Sequence, residues 1–262
     1  LLDWQPGRFK EYFMIKPAKK SSRDCLLPGL LMALLGTACS QTEAPPAVQT
    51  DMATGVSILT YMEREAGIDT YPVRILVSPD YVRFDDGYDE SDYALLDRRS
   101  RTLFSVTHES ASILVIENLP VSEAMPADLS LTEERIVDND APTIAGKQPQ
   151  HVEYLANGTP CYQAVSVAGL MGEAVAGMTE YATALGERQL ANMQSMPEAM
   201  QTPCFLSRYA YASGRHYRHG LPVQLWDESG YYSSLTDFRT GETVSAALFE
   251  VPDDYASVQL VQ

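Results

Sequence analysis

The chain has 262 residues, 45% apolar and 21% charged, with a formal net charge of -16. That length and composition suit one large folded domain or two small ones, and exclude a disordered chain and a polytopic membrane protein. The acidic balance excludes nucleic acid and anionic head groups as natural partners, because like charge repels phosphate.

The charge is unevenly spread. Residues 1–39 hold six Lys+Arg and three Asp+Glu, leaving 13 basic and 32 acidic residues after Cys39, a net of -19. Beyond Cys39 there is one lysine, Lys147, against twelve arginines. Residues 1–13 start with leucine and show neither targeting logic nor periodicity, so they read as an upstream extension with Met14 as the start. Residues 14–38 read as a secretory signal, with a basic stretch through Arg23 and then an apolar run from Cys25 to Leu35. Eleven residues span about 16 Å as a helix, too short for a hydrocarbon core of about 30 Å.

The run ends in Gly36-Thr37-Ala38-Cys39, which resembles the lipobox of bacterial lipoproteins. The resemblance implies that Cys39 is lipidated with acyl chains such as palmitate and becomes the first residue of the mature protein. Gly36 departs from the Leu, Val or Ile usual in that motif, and ordinary cleavage after an A-x-A-like site is the alternative. Ser40 and Gln41 follow instead of an aspartate retention signal, which implies the periplasmic face of the outer membrane. Two or three acyl chains, at ~0.8 kcal/mol per buried methylene, make a stable anchor.

Residues 39–54 are polar, contain prolines and lack periodicity, as expected of a tether from lipid to a folded domain at 55–262. Strands are predicted at Val56–Arg64, Pro72–Val77, Tyr81–Asp85, Tyr93–Asp97, Thr102–Thr107 and Ser112–Glu117, with turn residues between them. This is an antiparallel meander. The stretch to Asp140 is acidic and mixed, and Thr143–Tyr154 returns to strand-like character. A helix is predicted over Ala164–Met193, inside a helical insert at 162–203, because Met171, Val175, Met178, Ala182 and Leu185 repeat at three- and four-residue spacings. Strands resume at Phe205–Ala212, Val223–Asp227, Tyr231–Asp237 and Glu242–Phe249, the last two separated by an Arg239-Thr240-Gly241 turn.

Cys161 and Cys204 are the two thiols of the exported part and read as a disulfide, since a metal or redox pair wants C-x-x-C spacing or histidine partners. His216 and His219 in "RHYRH" would share a metal only on a helix, and their flanking glycines suggest a loop or strand end. "DDGYDESD", Asp85–Asp92, lacks the glycine and glutamate positions of a helix-loop-helix calcium site and reads as a solvated hairpin tip. No nucleophile elbow, zinc-protease motif, P-loop or dinucleotide fingerprint is present, and no cofactor is implied. The chain leans to a non-enzymatic reading that leaves the question open, the alternative being an envelope hydrolase whose carboxylates or histidines converge in a cleft. The methionine stripe is either core packing or an adaptable apolar wall, in which case Met171, Val175, Met178 and Leu185 would touch an acyl chain.

The meander "RILVSPDYVRFDDGYDESDYALLDRRSRTLFSV" looks like the first sheet of the LolA/LolB-like superfamily, and "GLPVQLWDESGYY" through "LFEVPDDY" is similar to its closing strands. The resemblance implies an α+β fold in which a curved antiparallel sheet, an incomplete barrel, is covered on its concave face by helices. Members of that superfamily include carriers and receptors of lipoprotein acyl chains. The expected function is a lipid or hydrophobic-ligand binder of the envelope, and the alternative is an acidic scaffold for a basic envelope protein without cargo.

Overall fold

Residues with apolar side chains at every second position form strands that must bury one face, and here that pattern assembles a single large sheet. The computed structural model describes residues 51–117, 121, 123–138 and 140–259. The segment 1–13, the signal at 14–38, Cys39 and the tether up to residue 50 lie outside the described residues.

The first half of the sheet is the predicted meander: β1 (Met52–Arg64), β2 (Tyr71–Val77), β3 (Tyr81–Asp85), β4 (Tyr93–Asp97), β5 (Thr102–Thr107) and β6 (Ser112–Ile116). The second half comprises β7 (Leu131–Ile136), β8 (Gln150–Ala156), β9 (Thr159–Val167), β10 (Leu221–Trp226) and β11 (Tyr232–Ser245). A last strand, β12 (Ala256–Gln259), closes the described chain. The spatial order is β12-β6-β5-β4-β3-β2-β1-β11-β10-β9-β8-β7. Every pairing is antiparallel except that of β12 with β6. The result is an open, curved sheet consistent with an incomplete barrel.

Several boundaries differ from the sequence reading. The expected Arg239-Thr240-Gly241 turn is a bulge inside β11, where the register against β1 slips between Val56 and Ile58 and Gly241 takes φ +73°. A glycine in that region supplies the extra residue without ending the strand. Phe205–Ala212, expected as a strand, is helical: Pro203–Phe205 forms an α-turn and Leu206–Tyr211 continues as a π-turn. Thr202 explains the start, because its hydroxyl accepts a hydrogen bond from the Phe205 N–H at 3.2 Å and Pro203 follows it. The long helix α1 runs Gly172–Ala191, so the expected start at Ala164 is too early. Residues up to Val167 complete β9, which also takes 162–167 out of the helical insert. The acidic stretch before Asp140 contains β7, and Thr143–Tyr154 becomes strand only at Gln150.

The two faces of the meander are buried by different segments. On one, Leu59, Ile75, Val77, Val82, Leu96 and Leu103 pack with Met171, Ala174, Met178 and Ala184 of the α1 region. On the other, Val56, Ile58, Leu76, Leu95 and Val106 pack against Leu248 and Phe249 of the strap that follows β11. The expected set of helices over a concave face is therefore one long helix over part of one face, with short turns beside it. Arg98 clamps α1 to the sheet by two hydrogen bonds to Glu180, at 2.6 and 2.8 Å, and Arg101 reaches Glu187 at 2.7 Å. The ring of Phe84 stacks on Tyr181 at 4.2 Å.

Gly177 sets how close the helix comes. A Cβ at that position would stand 2.7 Å from Val77 Cγ1 and 3.0 Å from Val82 Cγ2. Gly177→Val should lift α1 from β2 and β3 and cost about 1–3 kcal/mol as an overpacked core. The check is thermal and urea unfolding, with Glu173→Ala at an exposed helix position as the matched control.

Candidate functional site

On a strand, residues two apart share a face, so Arg83 and Asp85 of β3 point to the same side. That side is the strap side, and both residues are buried, at 1% and 3% exposure. Burying a charge requires a partner and filled hydrogen-bond positions. Arg83 has both: Nε donates to Asp85 at 2.7 Å, Nη1 to the Leu248 carbonyl at 2.7 Å and Nη2 to the Asp89 carbonyl at 3.1 Å. Its guanidinium also lies over the Tyr93 ring at 4.0 Å. Asp85 in turn accepts two bonds from Arg74 at 2.8 Å and one from the Gly87 N–H at 2.9 Å. The β3–β4 hairpin, expected as a solvated tip, is thus anchored by a buried carboxylate, and only its outer residues face water.

This network shapes a groove of about 460 Å³ between the hairpin and the strap. Its carboxylates are Asp89, Glu90, Glu250 and Asp253, and its apolar lining comes from Tyr93, Val251 and Pro252. Arg83 is the groove's one arginine and is already paired with Asp85. The rim is fixed by hydrogen bonds from the Tyr93 hydroxyl to the Glu250 carbonyl at 2.5 Å and between His108 Nδ1 and the Tyr255 hydroxyl at 2.8 Å. Burial raises the Tyr93 phenol above its ordinary value, with Arg83 pulling the other way, so it remains a neutral donor. A surplus of carboxylate beside an apolar floor suits a cation on an apolar stem, as lysine and arginine side chains are.

The residues singled out in the sequence go to other places. Met171 and Met178, at 8% and 1% exposure, are core residues, and Val175 and Leu185 pack against the same cluster. The four lie together on the sheet-facing side of the α1 region and are not among the residues that line the acidic groove. Cys161 and Cys204 form the expected disulfide, with Cα atoms 5.2 Å apart. "RHYRH" is a 3-10 turn, Arg215–His219, instead of a loop or strand end. In such a turn residues three apart share a face. The two histidines nonetheless part company: His219 meets Glu133 at 2.8 Å, while His216 lies edge-on to Tyr162.

Around that turn the sequence reading missed a second buried cluster. Tyr154 and Tyr162 stack at 4.5 Å, Arg215 lies over both, and Arg208 lies over Tyr162 and Tyr231 while pairing with Asp227. The Tyr154 hydroxyl and His216 Nδ1 are enclosed without a hydrogen-bond partner, although part of the His216 residue reaches solvent. The alternation of aromatic and polar residues in "EYLANGTPCYQ" signals such a buried face, but the arginines that complete it arrive more than forty residues later.

No protein-family model matches this chain, and no curated protein matches it. Among solved structures, two crystal forms of PNGF-II align with TM-scores of 0.40 and 0.39 at 8% and 7% identity. Each alignment covers 78% of this chain, but only 31% and 32% of PNGF-II, so the chain spans about a third of that protein's length. A LolA superfamily protein from Nitrosomonas europaea aligns with a TM-score of 0.26 at 9% identity, over 77% of this chain and 88% of that one. Likeness of this strength carries nothing about ligand or chemistry.

The buried histidine yields a pH dependence. Burial first, then Arg208 and Arg215, push His216 down from 6.5 to about 3. As pH falls through 6.5 the unfolded chain takes up this proton and the folded chain does not, so stability is lost progressively from 6.5 toward 3. In His216→Gln the melting temperature should fall less steeply across that window than in the parent, measured by circular dichroism at matched ionic strength.

Proposed function

We propose that this chain is a non-enzymatic envelope lipoprotein, anchored through Cys39 at the periplasmic face of the outer membrane, whose acidic groove holds a basic segment of an envelope protein. The observation that carries the reading is the groove of Asp89, Glu90, Glu250 and Asp253 over an apolar floor. The net charge of -19 beyond Cys39 supports it, because a field of that sign steers cationic partners toward the surface.

The lipid-binding reading places an acyl chain under α1. That space holds the buried Met171 and Met178 side chains, and the close approach at Gly177 leaves the helix seated directly on Val77 and Val82. A lipid would enter only by displacing the helix, for which Val175 and Leu185 would also have to move. The scaffold reading needs no such rearrangement.

Two experiments test these statements. Cys39→Ser should abolish incorporation of labelled palmitate and release the protein from the membrane fraction; unchanged labelling would sink the anchor. For the groove, a fluorescent Lys/Arg-rich peptide titrated into the full chain should bind saturably, lose affinity as salt rises, and bind several-fold more weakly to Glu250→Gln/Asp253→Asn. Native mass spectrometry of the same preparation separates the alternatives: a stoichiometric acyl species together with no peptide binding would replace the scaffold reading with the lipid one.

A further inference from the structure

The strap covers one face of the meander, but the continuation of that face across the other half of the sheet has no covering segment among the described residues. Over His151–Tyr154, Cys161–Ser166 and Val223–Trp226 burial alternates, and the residues of these stretches turned away from the Tyr154–Tyr162 cluster are half-exposed or, at Gln224, exposed. The register sets them in rows. Arg64, Tyr232, Trp226, Gln163 and Glu153 are successive cross-strand partners on β1, β11, β10, β9 and β8. In the next row Gln224 stands opposite Val165, and Val165 opposite His151. A depression of about 280 Å³ opens at the Trp226 end, lined by Arg64, Gln224, Trp226 and Tyr232 together with the hairpin residues Asp227 and Tyr231.

The polar members are held in fixed orientation. Gln163 Nε2 donates to Glu153 at 2.9 Å and its Oε1 meets His151 Nε2 at 2.8 Å, while the His151 ring lies against Trp226 at 5.2 Å. Arg64 lies over the Tyr232 ring at 5.9 Å. Asp227 is committed to Arg208 below. The strands in this region are interior and paired on both sides, so their backbone groups are used up in the ladders and recognition falls to side chains.

We infer that this face is a binding site for a neutral glycan built of pyranose rings. A pyranose presents an apolar C–H face and a rim of hydroxyls that each donate and accept. It therefore fits an indole or phenol ring flanked by planar amide, carboxylate and guanidinium groups. Trp226 and Tyr232 are the stacking platform, and Gln224, Gln163, Glu153 and Arg64 are the rim partners. Preorganisation through the His151–Gln163–Glu153 chain lowers the ordering cost of binding. The ligand is neutral because the protein's negative field disfavours an anion. A cation finds better partners in the carboxylate groove at the strap.

The chain's two tryptophans are Trp4 and Trp226, so full-length protein carrying Trp4→Phe reports on this site through one indole. Chitohexaose and maltohexaose are titrated against its emission and by calorimetry. At least one should produce a saturable change in Trp226 emission, and calorimetry should show about tenfold weaker binding or worse in Trp226→Ala, the loss expected of an aromatic anchor. Gln224→Ala, at an exposed position, should weaken binding without moving the melting temperature, which keeps the test independent of folding. The inference is overturned if neither sugar saturates the signal, or if binding is unchanged in both variants. It is also overturned if a proline-rich peptide saturates the site where both sugars fail.

Discussion

The ladder between β1 and β11 is the contact on which the rest of the sheet depends. It runs from Met52 opposite Ser245 to Arg64 opposite Tyr232 and is where the meander meets the later strands. Its partners are more than 160 residues apart in the chain, so loop-closure entropy must be overcome before its hydrogen bonds contribute. The three register slips along it bend the two halves against each other, as bulges do, and the curvature of the open sheet follows.

Once that seam exists, the chain has two faces to bury and limited material with which to do so. Helix α1 takes one face of the meander through a close, glycine-permitted approach. The strap takes the other, and its position is specified by charge as well as by apolar contact, since the Leu248 carbonyl accepts from the buried Arg83. Removing Arg83 would leave Asp85 to Arg74 and the Gly87 N–H and free the strap carbonyl, a loss of about 1–3 kcal/mol for the buried acceptor left without its donor. The acidic groove exists because hairpin and strap are held at that spacing. The sheet's remaining face, beyond the reach of the strap, keeps its aromatic and amide side chains in solvent.

The first six strands were legible because alternation and turn residues agree there, and all six lie within a residue or two of where the pattern puts them, apart from the longer start of β1. Legibility failed where local signals had two meanings. Gly241 after Arg-Thr looks like a turn and is a bulge, a distinction made only by the partner strand. Phe205–Ala212 has the aromatic content of a strand, but the Thr202 cap and Pro203 start a helix. The acidic run at Asp85–Asp92 hid a buried carboxylate, because its charge count outweighed the Arg83–Asp85 spacing that places both on one face. The groove was invisible for a simpler reason: its walls come from residues 83–108 and 247–253, which meet only after the whole sheet has formed.

The disulfide changes what kind of object the long helix is. With Cys161 at the start of β9 and Cys204 in the helical turn beyond it, the intervening segment is a closed loop whose feet are 5.2 Å apart. Because β9 runs on to Val167 inside the sheet, the bond holds the far side of α1 to the same strand from which the helix departs. Opening the bond would lengthen the tether on the far side and enlarge the volume the helix can sweep, so the oxidising power of the surrounding compartment sets the mechanical range of this element.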